Sequence, residues 1–388
     1  MKLSMALRVA SMQPTIFSTM TQLAIKHEAV NLGQGFPDFD PPDFIRDAAI
    51  AALRGPYNQY APGMGHLPLR QALAKRYTQR YHLNYDPQTE ILVTVGATEA
   101  LFATMMGLLD PGDEVILFEP CFDSYHPAID FAGGVARSCV LRPPDWQFSS
   151  NDLENLISPR TKLLLLNSPQ NPCGKVFCQE ELELIAALCI RHDLIAVTDE
   201  VYEFITFDGH PHIPLASLPG MRERTLTISS LAKTFSVTGW KVGWASGPAE
   251  LIEALLRAKQ FITYCGAAPL QMAGAKALES VEEYYLDLAE DYRQRRDFLY
   301  AVLRDCGMHV LLSQGTYYLM VDISALGRGD DVAFCRWLTT EVGVAAIPAS
   351  PFYADPADGQ KLVRFAFCKS WPILEEAARR LRQSFTAS

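Results

Sequence analysis

Lysine is an unusual companion for the small, hydroxyl-bearing and aromatic residues of SSLAKTFSVTGWKVGW, Ser229 to Trp244, yet the stretch holds two, Lys233 and Lys241. An unpaired ammonium is costly to bury, so each lysine either stays in solvent or meets a partner that the local sequence does not supply. An amine condenses with a carbonyl carbon, and an ammonium pairs with a phosphate. Asp199 closes the apolar run LIAVTD, where burial is expected. A buried carboxylate needs a cation or several donors, so a protonated ring nitrogen on a ligand would serve, as would the start of a following helix. Gly96, Ala97 and Thr98 follow the run ILVTV. Glycine allows close backbone approach, and amides at a helix N-terminus cradle an anion, although threonine there also reads as a plain cap. Ser230 and Lys241 could serve the same anion. Asn171 and Tyr202 can hydrogen-bond a phenolic oxygen, and Phe122 can face an aromatic ring or simply fill the core.

These residues share a place in the pattern. Short apolar runs at 91–95, 114–119, 162–167, 194–200, 225–230 and 242–247 alternate with helix-like stretches. That alternation predicts an α/β domain whose mostly parallel sheet is covered on both faces. Ligands of such sheets bind at the carboxyl ends of the strands. Five consecutive run ends deliver Gly96 to Thr98, Phe122, Asn171, Asp199 with Tyr202, and Lys233. The demands add up to a phosphate, a planar ring, a protonated ring nitrogen, a phenolic oxygen and a carbon that wants an amine. Pyridoxal 5′-phosphate meets all of them. From Val281 the texture changes to a long amphipathic helix, the runs TYYLMVDIS, VAAIPAS and LVRFAF, and a terminal helix. The expected division is a large domain over 46–285 and a small α+β domain from 1–45 and 286–388.

Bulk properties narrow the partners. The chain has 388 residues, a net charge of −10 and an isoelectric point near 5.3. That balance disfavours nucleic acid and an anionic membrane surface, both of which select clustered Lys and Arg. The nine cysteines show no CxxC pair or zinc spacing, so no metal is expected and the thiols read as reduced. MKLSMALRVASMQP has no clear cleavage site, and no run approaches a membrane span, which points to the cytoplasm. GMGHLP lacks the glycine pattern of a nicotinamide-binding turn. The histidines, His126 and His192 among them, read as structural or solvated.

The sequence resembles the class I/II aminotransferases of fold type I. It is most similar to their methionine and kynurenine–oxoglutarate aminotransferase branch, through NLGQGFPDFDPP, NQYAPGMG, VTVGATEAL, FEPCFDSY, NSPQNPCGKV, TDEVYEFI, SSLAKTFSVTGWKVGW, GTYYLMVD and VRFAFCK. The resemblance implies a large PLP-binding domain with a seven-stranded sheet flanked by helices, and a smaller α+β domain. It implies that Lys233 is the Schiff-base lysine and moves the substrate proton, with Asp199 on the ring nitrogen and Asn171 and Tyr202 on the ring oxygen. Phe122 would stack on the ring, while Ala97, Thr98, Ser230 and Lys241 hold the phosphate. Many relatives have arginine at the position of Lys241. Tyr60 would reach the phosphate of a second subunit in a homodimer with shared sites. Arg364 would clamp the substrate carboxylate beside Gly35. Ile16, Phe17, Tyr60, Tyr125 and Phe352 would face the substrate side chain, favouring methionine, aromatic amino acids, kynurenine or glutamine as donor to a 2-oxo acid. A β-eliminating C–S lyase acting on cysteine conjugates uses the same lysine and is the alternative. A PLP-sensing regulator of transcription is disfavoured by the short 1–45 segment and the acidic charge.

Overall fold

Each apolar run is too short for a helix and too apolar to leave either face in water, so the runs pair with one another. The computed structural model describes residues 5–10 and 15–385; positions 1–4 and 11–14 of the stretch read for a cleavage site lie outside the described residues. Strands β1 (Ile91–Val95), β2 (Glu114–Glu119), β3 (Val135–Val140), β4 (Thr161–Asn167), β5 (Ile195–Asp199), β6 (Thr225–Ser230) and β7 (Val242–Ser246) form one sheet in the order β1-β7-β6-β5-β4-β2-β3. Its centre is dry: Leu163, Leu164, Leu165 and Leu166 of β4 are all buried, each worth about 1.5–3 kcal/mol by area. Strand β3 is not among the apolar runs. Its sequence VARSCV carries Arg137 and Ser138, which suits an edge strand bonded to β2 alone.

All neighbouring pairs are parallel except those of β7, which runs antiparallel to both β1 and β6. It therefore begins where its two neighbours end. Val95 pairs with Val242, and Ser230 pairs with Gly243. Helix α1 (Gly96–Leu108) leaves the end of β1, α2 (Tyr125–Phe131) follows β2, and the single turn α3 (Leu231–Thr234) leaves the end of β6. The chain enters β7 through Lys241, whose φ of 54° is left-handed. Glycine would adopt that backbone at less cost, so the position carries a lysine in spite of the conformation.

This sheet lies in a unit running from Phe36 to Arg293 and including Ser313–Thr316. The other unit comprises the chain up to Gly35, Gln294–Leu312, and the chain from Tyr317 onward; the division falls inside helix α4 (Glu282–Asp305). Within the second unit, β8 (His309–Leu311), β9 (Tyr318–Asp322), β10 (Ile347–Pro348) and β11 (Leu362–Ala366) form an antiparallel sheet in the order β10-β11-β9-β8. Arg364 stands in β11, opposite both Met320 and Ile347. Helix α5 (Trp371–Phe385) buries Leu374, Ala377, Ala378 and Leu381, the spacing of one helical stripe.

The start of β7 touches the start of α1 closely. A Cβ added at Gly243 would lie 2.5 Å from the carbonyl carbon of Gly96 and 2.6 Å from the amide nitrogen of Ala97. Gly243→Ala is therefore expected to force the two segments apart, lowering unfolding free energy by about 1–3 kcal/mol. A urea midpoint equal to that of the parent would show that the segments are free to separate.

Candidate active site

The anion end of the site is assembled by β7. Gly96 is left-handed, with φ of 75°, and a Cβ there would meet both Cε and Nζ of Lys241 at 3.1 Å. The lysine side chain thus lies directly over the first residue of α1. Ser230, buried at the end of β6, is brought alongside by its pairing with Gly243. Amides at a helix N-terminus lack intrahelical partners, and beside an ammonium they suit an anion. Glu99 stands in the first turn of α1. Its Oε2 accepts the Val95 amide at 2.5 Å, and its Oε1 accepts the Thr263 hydroxyl. The buried ammonium of Lys259 donates to the Tyr264 carbonyl at 2.8 Å. Burial lowers the pKa of Lys259, while the charge of Glu99 works against that shift.

The cation-seeking end is Asp199. Its carboxylate accepts the Tyr125 hydroxyl on Oδ2 at 2.8 Å and the Val201 amide on Oδ1 at 3.3 Å. Burial nevertheless raises its pKa to about 6, against the lowering effects of Tyr125, Val201 and Lys233. Two hydrogen bonds do not replace a cation here. Asn167, at the end of β4, ties the neighbours together. Its amide nitrogen donates to the Asp199 carbonyl at 2.8 Å, and its oxygen accepts the Asn171 amide at 2.7 Å.

Between these ends lie the amine and the aromatic groups. Lys233 Nζ is 5.5 Å from the centre of the Tyr202 ring, within cation–π range. Tyr202 and Asn171 are buried, and Phe122 is half-buried with its ring edge-on to Tyr125 at 5.8 Å. Lys233, Asp199, Tyr202, Asn171, Phe122, Ser230, Lys241, Ala97 and Thr98 all belong to the larger unit. Tyr60 also belongs to it, but is 85% exposed, with its ring edge-on to Tyr264 at 5.7 Å.

The smaller unit carries Arg364, Gly35, Phe17, Ile16 and Phe352. The Arg364 guanidinium is buried among rings, 4.0 Å from Tyr318, 5.0 Å from Phe352 and 5.1 Å from Phe17, and donates to the Gly33 carbonyl at 3.0 Å. Gly35 cannot carry a side chain: a Cβ would lie 1.8 Å from the Tyr318 hydroxyl oxygen. The Gly35 carbonyl accepts the Tyr317 hydroxyl at 2.6 Å.

One expectation is corrected. Tyr125 does not face a substrate side chain; it is buried, and its hydroxyl is committed to Asp199. Three residues of the site went unread in the sequence: Tyr125 in this role, Asn167 and Glu99. Asn167 ends KLLLLN as Asp199 ends LIAVTD, a parallel that could have marked it.

The chain matches the model for "Aminotransferase class I and II" over residues 27–381. It is 48% identical over 95% of its length to a probable N-succinyldiaminopimelate aminotransferase of Mycobacterium tuberculosis, of which 95% is covered. It is 42% identical to a methionine aminotransferase of Escherichia coli, with 95% of each chain covered. It is 40% identical to a kynurenine–oxoglutarate transaminase of Dictyostelium discoideum, over 95% of this chain and 94% of that one. The solved N-succinyldiaminopimelate aminotransferase from Mycobacterium tuberculosis superposes with a TM-score of 0.94 at 46% identity, over 97% of this chain and 99% of that one.

The raised pKa of Asp199 gives a signed prediction. A carboxylate whose pKa rises from 3.8 to about 6 on folding binds its proton more tightly when folded, so the cofactor-free protein loses stability as pH climbs between those values. The loss is about 3 kcal/mol and persists at higher pH. Cofactor-free Asp199→Asn is therefore expected to be more stable than its parent at pH 7.5, with the gap closing toward pH 4. Urea unfolding at both pH values checks this; a gap of equal size at both would contradict it.

Proposed function

The chain belongs to the aminotransferase class I and II family, and from that premise we propose that it transfers the amino group of an apolar L-amino acid, of methionine, aromatic or kynurenine-like type, to a 2-oxo acid. It is an aminotransferase, and enzymes of this class work with pyridoxal 5′-phosphate. The residues fit that group. The Gly96–Gly243 cradle and Lys241 suit its phosphate, and the buried Asp199 suits its protonated ring nitrogen. When bound, it supplies an aldehyde to receive the amino group and a ring that withdraws electrons from the α-carbon.

The chain's own groups divide the remaining work. Asp199, held by Tyr125 and Val201, would keep the ring nitrogen protonated. Asn171 and Tyr202 would hydrogen-bond the ring oxygen, Phe122 would cover the ring face, and Ala97, Thr98, Ser230 and Lys241 would bind the phosphate. Lys233 would hold the amine that takes the substrate α-proton, serving as base and then as acid. Arg364 takes the substrate α-carboxylate as a planar fork, with Gly35 beside it.

The observation that carries the substrate class is the set of rings around Arg364, from Tyr318, Phe352 and Phe17. They strip water from the guanidinium and offer apolar surface next to the carboxylate clamp. A succinylated diaminopimelate is the second reading, favoured by the likeness to the mycobacterial enzyme. It would bring further carboxylates, for which the rings of Phe17 and Phe352 offer no hydrogen-bond donor.

A second copy of the chain is proposed to complete the site. Tyr60 is 85% exposed and Phe261 87% exposed, with Ile262 and Tyr264 exposed as well. Water-facing aromatic surface of this kind marks an interface, and Tyr60 is proposed to reach the partner's phosphate. The proposed compartment is a reducing cytoplasm, in which the thiols of the nine cysteines would stay reduced. No described helix is long and apolar enough to cross a membrane.

Adding amino acids singly, without oxo acid, and following the visible absorbance tests the donor. Methionine, phenylalanine or kynurenine is expected to bleach the cofactor band, and pyruvate or 2-oxoglutarate to restore it. Bleaching by N-succinyldiaminopimelate alone would transfer the assignment to the second reading. Release of pyruvate and ammonia from a cysteine conjugate, with no acceptor needed, would favour the lyase. Arg364→Lys is expected to lower kcat/KM for the preferred donor by roughly 10²-fold or more, because a point charge replaces a fork.

A further inference from the structure

Glu119, Cys121 and His126 have no metal-binding spacing in the sequence, and the fold brings them together. Glu119 ends β2, Cys121 lies in the loop after it, and His126 lies in the first turn of α2. One donor atom from each lies within 4.8 Å of the other two. His126 Nε2 is 2.7 Å from Glu119 Oε1, an oxygen that also accepts the Ser138 hydroxyl at 2.6 Å. Glu119 and Cys121 are buried, whereas the His126 side chain is 28% exposed and opens the group to solvent.

We propose that these three side chains form a binding site for a divalent ion of borderline or soft character, zinc or cadmium, with its fourth position filled by water. A thiolate, an imidazole and a carboxylate form a donor set that zinc takes, while magnesium and calcium prefer oxygen alone. Zinc–ligand bonds of about 2.0–2.3 Å place tetrahedral donors roughly 3.3–3.8 Å apart. The donors, within 4.8 Å of one another, close by at most about 1.5 Å, and the His126–Glu119 contact opens by about 0.6 Å, which side-chain rotation allows. On binding, Cys121 gives its thiol proton to solvent, His126 binds through neutral Nε2, and Glu119 binds as carboxylate. Nothing is oxidised or reduced. Ser138 stays on Glu119 as the partner that orients it.

The site does not depend on the proposed donor. It adjoins the cofactor residues, since Cys121 precedes Phe122 and His126 follows Tyr125.

Cadmium titration of the purified, cofactor-loaded protein tests the assignment, read by the ultraviolet thiolate-to-cadmium charge-transfer band and by isothermal titration calorimetry. One ion per chain is expected at this site. Cys121→Ser should abolish the band, His126→Ala should weaken binding by roughly 10-fold or more, and Cys178→Ser, at an exposed thiol, should change neither. If Cys121→Ser does not fold, His126→Ala carries the test by calorimetry. A band that survives Cys121→Ser, or an affinity untouched by His126→Ala, would overturn the site. Loss of the band in Cys178→Ser would place the ion on the surface thiol instead.

Discussion

A carboxylate removed from water without its cation is the constraint around which the larger unit is organised. Asp199 sits at the end of a buried strand, and its own surroundings supply one hydroxyl and one amide. These contacts orient the group without neutralising it, and burial still leaves its pKa near 6. A protonated ring nitrogen, as proposed for the cofactor, would supply what the protein withholds. The cost of holding Asp199 in the cofactor-free fold would then become affinity for a ligand with a cation at that position.

The rest of the larger unit follows from where that cation must sit. Tyr125 comes from the helix after β2, Asn167 from the end of β4, and Lys233 from the turn after β6. Parallel strands end at one edge of the sheet, so side chains far apart in sequence converge there. The reversed strand β7 adds what parallel strands cannot. It begins at that same edge and so brings Lys241 to the first turn of α1. The anion cradle and the cation-seeking carboxylate are thus two ends of a single sheet edge.

The smaller unit applies the opposite logic to Arg364. Here a cation is buried and surrounded by ring faces, which partly compensate the lost hydration while the guanidinium donates to the Gly33 carbonyl. The central position in β11, between β9 and β10, keeps it from moving with a loop. The glycine at 35 is required because the Tyr318 hydroxyl fills the space a side chain would take.

Six of the seven large-sheet strands are legible in the chain, as is the residue type offered at each strand end, because burial on both faces writes a continuous apolar run into the local sequence. The chemistry of an amine, a buried carboxylate and a glycine-led helix start is legible for the same reason. Edge strand β3 is not, since half-exposed positions tolerate the Arg and Ser that break the run. Only the tertiary structure decided that the Tyr125 hydroxyl belongs to Asp199, 74 residues away, that Glu99 accepts the Thr263 hydroxyl, and that Glu119, Cys121 and His126 stand together. A hydrogen bond or a cluster of donors formed across strands leaves no periodicity along the chain. It exists only once the sheet has set which strand ends are neighbours.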